Sequence, residues 1–256
     1  MKKTAMPMTF TYKCKFLVIM TLVFALWGTS AQAVDAPSCA YKDRTCVIDS
    51  LEATAASIDN QSWRDQAYRE LAKTLAADNN LDRALGLIDK IITPDTKAMT
   101  IRGIGMAVAE QKLPEPEQLA AFTRLREAAE KITDPPSYAI ALTYIAMAQA
   151  FAGDNEGAWA TAANMKNDAL RHKAYAETAE IQAETGNFNA AMRSIELINS
   201  QSFQNKALLS VAKILSDHEY YDEALKAAAE ISNPYEKTTA LQYVLDSQKP
   251  RETERP

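Results

Sequence analysis

Histidine and cysteine are scarce in this sequence of 256 residues, which holds two of the first and three of the second. His172 and His218 have no His or Cys four residues on and no Cys pair nearby, so metal-ligand spacing is absent. Both are expected at the surface. There is no GxSxG elbow, and no serine stands at a spacing from histidine that points to a triad. Gly103-Ile104-Gly105 falls short of a dinucleotide loop, because Val108 stands where the third glycine belongs; two small residues packing helices together explain it. Glu177, Glu180 and Glu184 recur at helical spacing, the pattern of a solvated face and not of an acid–base pair. On these grounds the chain is expected to be no enzyme and to need no cofactor or metal.

Long apolar runs are also missing, with one exception at the start. Lys2, Lys3, Lys13 and Lys15 precede an apolar run over residues 16–27, and Ala31-Gln32-Ala33 comes next as a small-x-small cleavage signal. Those three zones are the pattern of a bacterial secretory signal peptide over residues 1–33, cleaved after Ala33, which directs the chain to the periplasm or out of the cell. An uncleaved anchor is the alternative, but the run is short of the ~20 residues that span a bilayer. Losing four lysines leaves 24 Lys+Arg against 33 Asp+Glu, a formal charge of −9. An acidic chain without basic runs repels phosphate backbones, so nucleic acid is not an expected partner. Cys14 leaves with the signal. Cys39 and Cys46 remain as an even pair in an exported chain, which predicts a disulfide joining an N-terminal segment over residues 34–45 to the residue just beyond it. A redox-active pair is the alternative, though the spacing is not CxxC.

What is abundant is repetition. Placing Ile58, Ile91, Ile132, Met165, Ile198 and Ile231 in one column gives four intervals of 33 residues and one of 41. The long interval returns to 33 if an insert of eight residues rich in Pro and Glu, such as 113–120, is removed. A period of this size implies a helical array. Small residues form two further columns, Ala72, Ala146, Ala179 and Ala212, and Ala84, Ala158, Ala191 and Ala224. Tyr68, Leu71, Ala72 and Leu75, and again Leu208, Val211, Ala212 and Leu215, follow the i, i+3, i+4, i+7 spacing of a helix face. Turn residues then intervene at Asp78-Asn79-Asn80, Gly153-Asp154-Asn155, Gly186-Asn187 and Asp217-His218-Glu219, each leading into a shorter helix. No segment alternates like a strand. The expectation is all-α, about a dozen helices, from a half unit at 47–58 to a closing helix at 235–245.

Glu219-Tyr220-Tyr221-Asp222-Glu223-Ala224 and Gly186-Asn187-Phe188-Asn189-Ala190-Ala191 carry the turn in which Gly, Asp or Asn, an aromatic, Asp or Asn, and Ala join paired helices. With the alanine column and the bulky residues Tyr68, Leu142, Tyr175 and Leu208 four positions earlier, the chain resembles the tetratricopeptide repeat family over residues 61–248. The unit here has 33 residues instead of the family's 34, and lacks its closing proline. The resemblance implies a right-handed α-solenoid of about five repeats plus flanking half repeats over residues 46–248. Residues 249–256, charged and twice interrupted by proline, are expected to form a disordered tail.

The resemblance also implies a concave groove lined by fixed positions of each first helix. Carried over by position, these are polar at the start, with Gln66, Arg69 and Lys73. They are largely apolar in the middle, with Met99, Arg102, Met106, Glu110, Ile140, Thr143, Met147 and Phe151, and mostly charged again at Lys173, Glu180, Glu184, Lys206, Leu209, Lys213 and Asp217. Methionine adapts to varied partners, and an apolar stripe edged by cations suits a protein or peptide with a hydrophobic anchor. The same methionines could instead pack between neighbouring helices. The paired Lys and Asn of the family's carboxylate clamp are not evident. The expected function is an exported binding scaffold. An accessory subunit of an envelope enzyme or assembly, or a protein that self-associates through its ends, is the alternative.

Overall fold

The structure is a computed structural model and describes residues 39–248. The expected signal at 1–33, residues 34–38 and the expected tail at 249–256 lie outside that range. Twelve helices and no strand occur among the described residues. Five have 17 residues: α2 (Gln61–Ala77), α4 (Pro94–Glu110), α6 (Pro135–Phe151), α8 (Asp168–Glu184) and α10 (Gln201–Asp217). Between them lie α3 (Leu81–Lys90), α5 (Glu115–Glu130), α7 (Asn155–Ala163), α9 (Phe188–Glu196) and α11 (Tyr221–Glu230). The set is flanked by α1 (Arg44–Ala56) and α12 (Pro234–Ser247). The long helices and α12 start at 61, 94, 135, 168, 201 and 234, so helix starts keep the spacing of the isoleucine column.

Each boundary has a local cause. Asn60, Asn80, Asp134, Asp154, Asn167, Asn187 and Asn233 accept backbone N–H bonds at helix N-termini, and Pro94, Pro135 and Pro234 occupy first turns, where a missing N–H costs nothing. Long helices end at a left-handed residue: Asn79, Lys112, Gly153, Gly186 and Glu219 have φ between 51° and 87°. The bonds Asn80 N to Leu75 O, Asp154 N to Gln149 O, Asn187 N to Gln182 O and Tyr220 N to Leu215 O close these turns.

Packing runs neighbour to neighbour. Consecutive long helices lie side by side from α2 to α12, and each shorter helix folds back on the long helix before it. The alanines of both columns are fully buried, as are Ile91, Ile198 and Ile231. In the second pair, Leu125 stands where the others have alanine, and Gly105 stands in the other column. A Cβ on Gly105 would lie 3.1 Å from Ala148 Cβ of α6 and 3.7 Å from Leu125 Cδ1, so glycine there lets α4 approach α6. The eight-residue insert is not a loop. It extends α5 at its N-terminal end to 16 residues, because glutamate-rich sequence after Pro114 propagates helix readily.

Polar residues recur inside the packing. Asp65, the fifth residue of α2, accepts N–H bonds from Ile92 (3.2 Å) and Thr93 (2.8 Å), and Asn205, the fifth of α10, accepts from Ser232 N (3.1 Å). His172 holds the same place in α8. It is buried against Phe203 and bonds the Asn199 side chain, which corrects the expected surface position: its helix phase turns it toward the loop between α9 and α10. At the centre, Thr161 donates to Gln149 (2.7 Å) and Ser194 to Gln182 (2.6 Å), where the outer pairs have apolar residues. Trp159 Nε1 donates to Ser194 Oγ, and Gln182 Nε2 to Asn155 Oδ1, which ties α7, α8 and α9 together.

The first helix is held differently. Ala55 is its sole buried residue, and α1 is tethered by the Cys39–Cys46 disulfide (Cα–Cα 5.7 Å) and by Arg83 and Lys90 on Glu52. The Lys90 hydrogen bond, aided by Arg83, holds the Glu52 carboxyl below the usual carboxylate range. Packing density at the alanine column predicts that Ala179→Leu costs about 1–3 kcal/mol by overpacking, whereas Ala160→Leu, at an exposed position of α7, changes stability little. Urea titrations of both variants check it, and equal midpoints would refute the close contact.

Candidate functional site

The long helices bury one side in the core and leave the opposite side open, so side chains at matching positions line up across them. On α2 these are Arg69 and Lys73, and on α4 Met99, Arg102 and Met106. Together they line a groove of about 460 Å³ whose base includes Gly103. Three of the six residues expected to bind a partner therefore share one cavity. The lysine stem packs beside Gly103, where an added Cβ would sit in ordinary contact, 3.5 Å from Lys73 Cβ. Arg69 is paired with Glu70 at 2.7 Å.

The other three expected residues, Ile140, Met147 and Phe151, lie on the next long helix, α6. Met106 and Ile140 are half-buried and rest on the core, as the packing alternative predicts for them, while Phe151 is 39% exposed. The two triplets are joined by Tyr144, which the sequence did not single out: the Arg102 guanidinium lies 5.3 Å from its ring centroid. A signal existed, because Tyr144 falls one residue after the expected groove position Thr143, and Thr143 itself is buried and bonds back to Ala139 O.

On α8 the face becomes acidic. Glu184 pairs with His218 at 2.9 Å, and Lys173 with Glu177 at 3.5 Å. Glu180, between them, is half-buried, which corrects the expectation of three fully solvated carboxylates. Burial pushes its carboxyl above the usual carboxylate range; the Ser210 hydroxyl of α10 counters this, and Glu177 and Glu184 add to it. Beyond it, Lys213 lies 5.4 Å from the Tyr243 ring centroid, and Tyr243 donates to Asp217 at 2.7 Å.

Chemically the face offers polarizable apolar contact, cations at one end and carboxylates at the other. Among the described residues no three His, Cys, Asp or Glu side chains converge as metal ligands, and no helix is long and apolar enough to cross a membrane. Other cavities lie elsewhere among the described residues, two of them beside α6 and α7. One, of about 550 Å³, is lined by Pro135, Pro136, Leu142 and Met165 near the starts of α6 and α8. The other, of about 470 Å³, lies where Leu119 of the lengthened α5 meets Trp159 of α7. No protein-family profile matches the chain, and no curated protein matches it significantly.

The raised carboxyl of Glu180 has a measurable sign. Between the unfolded value near about 4.3 and its higher folded value, the folded chain holds more proton than the unfolded one, so stability falls as pH rises through that window. Glu180→Gln removes this penalty and should raise Tm at about pH 7, with the difference vanishing near about pH 3.5, where both states are protonated. Thermal unfolding at the two pH values checks this; a lower Tm for the variant at about pH 7 would contradict it.

Proposed function

We propose that the chain is an exported scaffold that binds an extended segment of a protein partner on its long-helix face, with no chemistry of its own. In this reading it is a right-handed α-solenoid of about five tetratricopeptide-like repeats, and the long helices line its concave side. Met99, Arg102, Met106, Ile140, Met147 and Phe151 form the contact surface, and neither nucleic acid nor a cofactor takes part. The observation that carries the reading is the open Met-lined groove between α2 and α4, continuing through Tyr144 to a Phe151 side chain left 39% exposed. Contiguous exposed apolar surface rimmed by polar residues is the pattern of an interaction site. Export is supported by the signal pattern and is compatible with the disulfide.

A second reading is self-association through the ends. Val47 and Leu51 of α1 and Leu241 and Leu245 of α12 are exposed by 42–62%, as on helical arrays without polar caps. Sedimentation across a concentration series separates the two, since a scaffold remains monomeric without its partner.

The binding reading predicts that Phe151→Ala and Met106→Ala each weaken capture of a periplasmic partner by about 2 kcal/mol, some 30-fold. Leu119→Ala, in the cavity on the other layer, leaves it unchanged. Affinity of each variant for the partner recovered by the parent chain, with circular dichroism as the folding check, decides between them. Loss confined to Leu119→Ala would move the site to the α5–α7 cleft.

A further inference from the structure

We infer that the long-helix face takes its ligand in one orientation: an extended peptide that sets an acidic residue between α2 and α4, an apolar side chain against α6, and a lysine or arginine on α8. The inference rests on the binding reading above and adds the chemistry of the occupant.

The first support is charge. The exported chain is acidic overall, yet the α2–α4 groove gathers Arg69, Lys73 and Arg102. Glu70 pairs with Arg69, and Glu110 also lines the groove, so three cations face two carboxylates and one positive charge is left in excess. Lys73 and Arg102 therefore carry the positive field over the methionines. Arg102 is held in place over Tyr144, so its charge is oriented before any ligand arrives. At the other end Lys173 balances Glu177 and His218 faces Glu184, whereas the side-chain partner of Glu180 is the neutral Ser210. A ligand cation would find in Glu180 a half-buried carboxylate still lacking a counter-charge. Beyond α8 the face turns cationic at Lys206 and Lys213, and that reversal ends the site.

The second support is length. Packed helices lie ~8–10 Å apart, so the α2–α4 groove and α8 are separated by about two and a half spacings, roughly 20–25 Å. An extended chain rising ~3.3 Å per residue covers that distance in about seven residues. The apolar stripe of Tyr144, Met147 and Phe151 on α6 falls near the midpoint. An acid, a central bulky apolar residue and a base can thus engage all three zones within one decapeptide. Like charges at both ends would meet repulsion at one of them.

The test is selection from a random decapeptide display library against the full exported chain, then fluorescence anisotropy of the enriched peptides. The expected result is enrichment of sequences with Asp or Glu and Lys or Arg about seven residues apart around an apolar centre. Replacing either charge by its opposite should weaken binding at least tenfold. On Lys73→Glu, an exposed substitution, the preference should shift to peptides basic at both ends; on Glu180→Gln, discrimination at the basic end should fall. Enriched peptides with an apolar centre but no charge order would overturn the orientation and leave the binding reading intact. Enrichment of none, or of peptides displaced by Leu119→Ala and not by Met106→Ala, would overturn both.

Discussion

Each long helix carries at one recurring position a side chain reduced to one carbon or none, at Ala72, Gly105, Ala146, Ala179 and Ala212, and all of these are buried. Close approach at this column keeps consecutive long helices side by side, and because the column recurs at the helix-start spacing, their outward positions align as well. A larger group anywhere in it would force neighbouring helices apart or off rotamer, since interiors have little spare volume. Gly105 shows the constraint adjusting: one methyl there would press on Ala148, in the pair where Leu125 has replaced alanine.

The polar groups set into this frame are of two kinds. Asp65, Asn205 and His172 are buried but matched to loop groups, and the Gln149–Thr161 and Gln182–Ser194 pairs satisfy each other, so these polar residues specify position at small cost. Glu180 is different. It is half-buried among like charges and has a hydroxyl, not a cation, for company. Burial is the largest cause of its raised pKa, and no cation offsets it.

The periodic features were legible in the sequence because each depends on spacing alone. The buried isoleucines, both alanine columns and the left-handed turn at Gly153 and Gly186 needed no knowledge of neighbours. The turn at Glu219 was also placed, without a glycine to announce it. What escaped depends on partners distant in sequence. His172 looked like a helix-entry surface residue until Asn199 and Phe203 were brought to it. Tyr144 gained meaning from Arg102, 42 residues before it, and Glu180 from Ser210 on the next helix. The insert after Lys112 looked like a loop because of its prolines, but Pro114 only starts the helix that the glutamates continue. Even on the groove the sequence could not divide Met106 and Ile140, which rest on the core, from Phe151, which projects.

Methionine supplies the most direct probe of the long-helix face, because five methionines lie beyond residue 33 and they divide by location. Met99, Met106 and Met147 stand on the face, Met165 is buried, and Met192 lies half-buried on α9. Carbon-13 methyl spectra of residues 34–256, recorded while an enriched peptide or a captured partner is added, give one signal for each. The account predicts that Met99, Met106 and Met147 shift or broaden together while Met165 and Met192 remain in place. Movement of Met192 or Met165 with the three groove methyls unchanged would contradict it and put the binding surface on another part of the molecule.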